Sequence, residues 1–223
     1  MTYFDFKYIF ECLYKVKEKT NEISKVFHVK HFDFKVTDAH LQTIKQASEL
    51  RKQINLFTKD ISNVSEFRRR DEADIDLKSM TAEYCLSTLF YHSSKFNKNF
   101  KVKAPAIAEI ILKKEEPDFN IKNTYSDKEV TFDLKCQWIQ NKGFEYITVN
   151  KKSHEIYFSK NDFYIFCLLD KDFMTGNPIE CNFFIVTKKF FDDNKILVQR
   201  NDTESFSDYY KIPISSFLNK GEK

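Results

Sequence analysis

The segment EVTFDLKCQW at 129–138 alternates strictly. Val130, Phe132, Leu134 and Cys136 fall on one side, and Asp133, Lys135 and Gln137 on the other. A period of two is the pattern of a β-strand whose faces meet different surroundings. The apolar face has to be covered, so the chain must build a sheet with another layer packed on it. The polar face is harder to explain, because a sheet built for stability alone has no use for a carboxylate and a lysine beside its core. Asp118, which opens the strand-like run DFNIKNTY, raises the same question.

The remaining sequence supplies the layers. Residues 1 to about 65 read as largely helical: FKYIFECLYKVKEKTNEISKVF spaces its apolar residues by three and four, and TDAHLQTIKQASELRKQINLF opens on a Thr/Asp cap signal. SEFRRRDEADIDLKS reads as a charged hinge. MTAEYCLSTLFYHSSKF reads as a helix with Met80, Tyr84, Leu86 and Phe90 on its apolar side and Ser79, Glu83 and Ser87 in a polar stripe. APAIAEIILKK fits a short helix or a strand. NKKSHEIYFSK suits a crossover helix leading into the buried strand FYIFCLL; after the turn TGNP comes the strand CNFFIVT. YYKIPISSFL reads as an extended segment and a last helical turn. The expected class is α/β, a central mixed β-sheet flanked by helices over residues 71–223, with a helical amino-terminal part over residues 1–70.

Composition narrows the chemistry. The chain has 3 glycines in 223 residues, each alone, so neither a P-loop nor a dinucleotide fingerprint can be assembled. The 5 cysteines are widely spaced and form no CxxC pair, which argues against zinc ribbons and disulfide frameworks and for buried free thiols in a reducing compartment. Asp5 and Glu11 interrupt the apolar stretch a signal peptide needs, and FYIFCLL is too short to span a bilayer. The expected location is cytoplasmic, with no membrane association. Charge is uneven: residues 1–70 carry a net +5 and residues 71–135 a net −2. That distribution suits a polyanion-binding surface beside a cation-binding site; a lysine-rich solvated surface gives a similar excess.

Side chains at i and i+2 on a strand share a face about 7 Å apart, so Asp133 and Lys135 point the same way. Asp118 can reach that face if its strand pairs with 129–138 as a hairpin. Two converging carboxylates make a hard-oxygen site suited to Mg²⁺, and a neighbouring lysine can orient a water or stabilise charge on a phosphate.

This arrangement resembles the PD-(D/E)XK nuclease superfamily. The resemblance rests on Pro117-Asp118, a gap of 14 residues, Asp133-Leu134-Lys135, and Glu83 on the upstream helix, which is similar to that family's first-helix acid. Asp-x-Lys occurs five times, at Asp5, Asp33, Asp76, Asp133 and Asp193, but only Asp133 lies in a strand-like run behind a Pro-Asp at hairpin distance. The resemblance implies a restriction-endonuclease-like core and divalent-metal cleavage of phosphodiesters, most often in DNA, leaving 5′-phosphate ends. It implies metal ligation by Asp118 and Asp133, with Glu83 completing the shell, and action of Lys135 on the attacking water. Gln137 takes a supporting role. Mg²⁺ is the expected cofactor, with Mn²⁺ as a substitute. Duplex DNA is the expected partner, and a homodimer is the simplest geometry for cutting both strands. Two rival readings stay open: a nuclease-like module that binds nucleic acid or protein without chemistry, and a nuclease for RNA or DNA junctions.

Other residues are weaker candidates. Lys151, Lys152 and His154 at the crossover helix, and Arg68, Arg69 and Arg70 in the hinge, are placed to meet a nucleic-acid backbone, though a solvated helix face and internal ion pairs explain them as well. His28, His31 and His40 lack a third ligand and read as surface or packing histidines. Trp138 reads as core.

Overall fold

The computed structural model describes residues 29–62, 72–96, 100–103, 119–123, 129–139, 145–156, 160–199 and 208–218. In chain order these form β1 (Val29–Lys35), α1 (Asp38–Ser62), α2 (Glu72–Phe96), β2 (Phe100–Lys103), β3 (Phe119–Asn123), β4 (Glu129–Trp138), β5 (Tyr146–Asn150) and α3 (Lys151–Ile156). There follow β6 (Phe163–Lys171), β7 (Pro178–Thr187), α4 (Lys188–Asn194), β8 (Ile196–Val198), β9 (Tyr209–Pro213) and α5 (Ser215–Leu218).

Six strands make the main sheet in the order β1-β7-β6-β4-β3-β2. The β4–β6 pair is parallel and the other pairs are antiparallel, so the sheet is mixed. A second sheet of three antiparallel strands runs β5-β9-β8.

The alternation of β4 decides which layer lies where. Its apolar face, with Phe119, Ile121, Phe163, Ile165, Cys167, Phe183 and Ile185 from neighbouring strands, packs against Ile44 and Ala47 of α1 and Met80, Cys85, Leu86 and Phe90 of α2. The other face of the sheet presents Tyr164, Phe166, Leu168, Phe184 and Val186 to a second core built from Ile147, Val149, Phe190, Phe191, Ile212 and Phe217. β6 lies between the two cores and is buried from Phe163 to Leu169, which is why FYIFCLL is apolar without alternation. The β6–β7 turn closes on Gly176 at φ +69°, a left-handed conformation that glycine adopts without a Cβ penalty.

The amino-terminal part, expected to be largely helical, contributes a strand as well as a helix among the described residues. VKHFDFK is strand β1, paired with β7 from Val29↔Val186 to Lys35↔Glu180, and α1 extends the main apolar core. Its Phe32 and Phe34 turn to the helix side while His31 stacks on Phe184 at 4.8 Å, the two-residue period of a strand. The expected boundary near residue 70 therefore crosses a shared core, because β1 completes the sheet and α1 covers it. The second half of the expected hinge, from Glu72, is already helical. The helix expected over 6–27 and the ambiguous run 104–114 lie outside the described residues. Among the described residues no helix is long and apolar enough to cross a membrane.

Candidate active site

β3 pairs with β4 from Lys122↔Glu129 to Phe119↔Phe132, Phe119 being the first described residue of β3. β4 continues along β6 from Phe132↔Phe163 to Trp138↔Leu169. From Asp133 onward, the pairing of β4 among the described residues is with β6. Phe132, Asp133 and Leu134 are buried, whereas Lys135, Cys136 and Gln137 are half-buried.

Asp133 is held in place by its neighbours on β4 and β6. It lies beside Tyr164 in the parallel register. That register is clamped two residues earlier: the Thr131 amide and hydroxyl donate to Asp162 Oδ2 at 2.9 and 3.2 Å, and the Asp162 amide donates to the Thr131 carbonyl at 3.1 Å. Thr131 and Asp133 share a face, so the clamp sets where the Asp133 carboxylate stands. Burial, with smaller contributions from Asp192 and Asp133, pushes the Tyr164 phenol well above its ordinary range, so it stays protonated.

The Lys135 ammonium donates to Asp133 Oδ1 at 3.0 Å. Asp133 is only 6% exposed, and a carboxylate so placed needs a cation beside it. Lys135 reaches further toward solvent, with 29% of its side chain accessible. The pair stands as expected from i,i+2 geometry, with the carboxylate inside and the ammonium nearer solvent.

Glu83 approaches from the helix layer. Arg51 of α1 donates from Nη2 to Glu83 Oε2 at 3.0 Å. Glu83 also acts on the Cys136 thiol, which burial pushes up to about 12, with Lys78 and Lys135 pulling down and Glu83 pushing up. Glu83 and Lys135 are thus both within electrostatic reach of one strand position. Glu83 lies on the helix side of β4 and Asp133 on the other.

Asp118 and Arg68, Arg69 and Arg70 lie outside the described residues, as do the Lys152 side chain and His28. The covalent neighbour of Asp118, Phe119, pairs with Phe132, the residue before Asp133. Gln137 is half-buried on the face of Lys135. Lys151 starts α3, its amide donating to the Asp208 carbonyl at 2.9 Å and its ammonium 3.7 Å from the Asp208 carboxylate. His154, expected near a phosphate, is instead buried: its ring stacks on Phe191 at 4.7 Å and meets Tyr210 edge-on at 5.2 Å. Burial first, then Lys195, lowers its pKa, so the ring is neutral and packs the second core. Trp138 is core, as expected, with Lys171 over its ring at 5.2 Å. Cys85, Cys136, Cys167 and Cys181 are free thiols, also as expected.

Arg51 escaped the reading of the sequence. The signal was available, since Ile44, Ala47 and Arg51 are spaced i, i+3 and i+7 on one buried stripe of α1. Asp162 had no such signal, because its role comes from a strand pairing over 31 residues.

Among the described residues no three His, Cys, Asp or Glu side chains are grouped so as to hold a metal ion. The carboxylates of Asp133 and Glu83 are hard oxygen donors. Mg²⁺ commonly takes one or two protein carboxylates and keeps its waters, so the donor chemistry fits that ion. Comparison with known proteins returned no matching family model, no matching curated protein and no matching solved structure.

Proposed function

We propose that this chain is a Mg²⁺-dependent endonuclease that hydrolyses phosphodiester bonds in DNA, of the restriction-enzyme or phage-associated kind, on a restriction-endonuclease-like core. The observation that carries the reading is the Asp133–Lys135 pair on β4, with Phe119, next to Asp118, paired one residue before Asp133. The mixed sheet flanked by helices supports it too, being the architecture that the resemblance implies.

In this reading Asp133, Asp118 and Glu83 hold the cation. Bound there, Mg²⁺ supplies Lewis-acid polarisation of a phosphate oxygen and a lowered pKa for water. With a cation held there, the Lys135 ammonium, now paired with Asp133, would serve to orient the attacking water or the phosphate. The clamp between Thr131 and Asp162 keeps the Asp133 backbone in place. Half-buried Gln137 lies one step further along the same face and supports the arrangement.

The test is conversion of supercoiled plasmid to nicked or linear DNA in Mg²⁺ or Mn²⁺, with Asp133→Ala as the control. Cleavage by wild type that is lost in the variant is the expected result. Two inert proteins that bind the plasmid equally would overturn the enzymatic reading. Parallel single-stranded, junction and RNA substrates define the target. One observation favours a second reading, a nuclease-like module without chemistry: Asp133 and Lys135 are paired with each other at 3.0 Å.

A further inference from the structure

The β5-β9-β8 sheet has two faces of different character. Ile147, Val149 and Ile212 turn inward and are buried in the second core. The residues between them turn outward. The register sets Thr148 beside Lys211 and Asn150 beside Tyr209, with Ile196 on the other flank of Lys211. Thr148, Asn150 and Ile196 are exposed, and Tyr146, Tyr209 and Lys211 are half-buried. The Lys211 ammonium lies 5.2 Å from the Tyr146 ring centre and 5.9 Å from that of Tyr209, so both rings and the cation share this face. A sheet that only covers a core needs no aromatic rings on its solvent side, where short polar and charged residues serve. Charge is selective too. The strands YITVN, ILV and YYKIP hold one charged residue, Lys211, and no carboxylate, in a chain with 33 Asp and Glu. Rings with an ammonium between them suit a ligand that joins planar groups to negative charge.

We propose that the outward face of the β5-β9-β8 sheet binds single-stranded nucleic acid, its bases stacked on Tyr146 and Tyr209 and a backbone phosphate held by Lys211. Stacking on a side chain needs unpaired bases, because a duplex keeps its ring faces inside its own stack. A single strand is therefore the ligand. Exposed Thr148 and Asn150 supply a hydroxyl and an amide alongside for base edges or sugars. The face looks away from the main sheet that carries Asp133 and Lys135, and its role does not depend on the cleavage reading.

The experiment is fluorescence-anisotropy titration of the full chain into labelled oligothymidylate and oligouridylate of about ten nucleotides, in EDTA so that no divalent metal takes part. Wild type is compared with Tyr146→Leu, Tyr209→Leu, the corresponding Tyr→Phe variants and Lys211→Gln. Each Tyr→Leu change should weaken binding about tenfold, while each Tyr→Phe change, which keeps a stacking ring, leaves it within about twofold. Lys211→Gln should reduce the slope of log affinity against log salt by about 0.7. The same substitutions leave the affinity for a duplex unchanged; an equal loss on duplex overturns the single-strand assignment. Tighter binding of either oligomer supports the site and names its sugar. A wild type that binds neither, as a protein-docking face would, overturns the proposal, and so do Tyr→Leu variants that bind like wild type. If circular dichroism shows those variants to be unfolded, Lys211→Glu decides: a loss of about tenfold supports the site and wild-type affinity overturns it. Binding of this kind by a protein that leaves plasmid intact supports the site while removing the cleavage reading.

Discussion

The two halves of β4 share one strand and one alternation, yet they live in different surroundings. From Val130 to Phe132 the strand has β3 as a neighbour, and its apolar side chains are fully buried. From Asp133 to Gln137 the described pairing is with β6, and three successive residues are half-buried. Alternation places a side chain on a face, and what packs on that face decides how deeply it is buried.

The comparison can be broken by exchanging the expected effects of the two halves. Asp133→Ala should lower plasmid cleavage by about a thousandfold or more, since it removes a proposed cation ligand, while urea unfolding still shows a cooperative fold. Full cleavage in that variant would mean that the second half of β4 is only structural. Phe132→Ala should do the reverse. Phe132 is fully buried, stacks on Phe163 and meets Phe90 edge-on, so its truncation should cost about 3–5 kcal/mol by urea denaturation. The protein that stays folded should keep its cleavage rate.

A smaller effect tests the clamp between the halves. Asp162→Ala leaves the Thr131 amide and hydroxyl without their carboxylate and should cost about 1–3 kcal/mol. Cleavage should fall more than the folded fraction does, because Asp133 loses its fixed position; equal losses would assign the clamp to stability alone.

The smallest effect concerns the second core beneath the polar face. His154 has a lowered pKa in the fold, so as pH falls the unfolded chain takes up a proton first. Stability is therefore full above about pH 6.5 and is lost as pH falls from there toward the lowered folded value. His154→Phe should flatten that part of the curve by up to about 1 kcal/mol between pH 7.5 and 5.5. An unchanged slope would place the ring in water.

What the sequence disclosed follows local pattern. β4 and α1 carried a period or a cap, the later turns of α2 an apolar and a polar side, and β6 and β7 short apolar runs beside turn residues. The tail divided as expected into an extended segment and a short helix. β1 was misread, although His31, Asp33 and Lys35 alternate with Phe32 and Phe34, because the helical spacing on both sides outweighed seven residues of strand pattern. β5 and β8 offered little to read, being five and three residues long and stabilised by β9 from elsewhere in the chain. At the site, the contact between Asp133 and Lys135 follows from spacing alone. The Asp162 clamp and the burial of Arg51 depend on partners distant in sequence, which no local pattern records.

The central proposal is that Asp133, with Asp118 and Glu83, holds one divalent cation beside Lys135. Anomalous difference density from crystals grown with Mn²⁺ tests it most directly. The account expects one strong peak coordinated by Asp133 and Glu83, with Asp118 beside them. A peak elsewhere, or none with the Asp133–Lys135 pair intact, would contradict it.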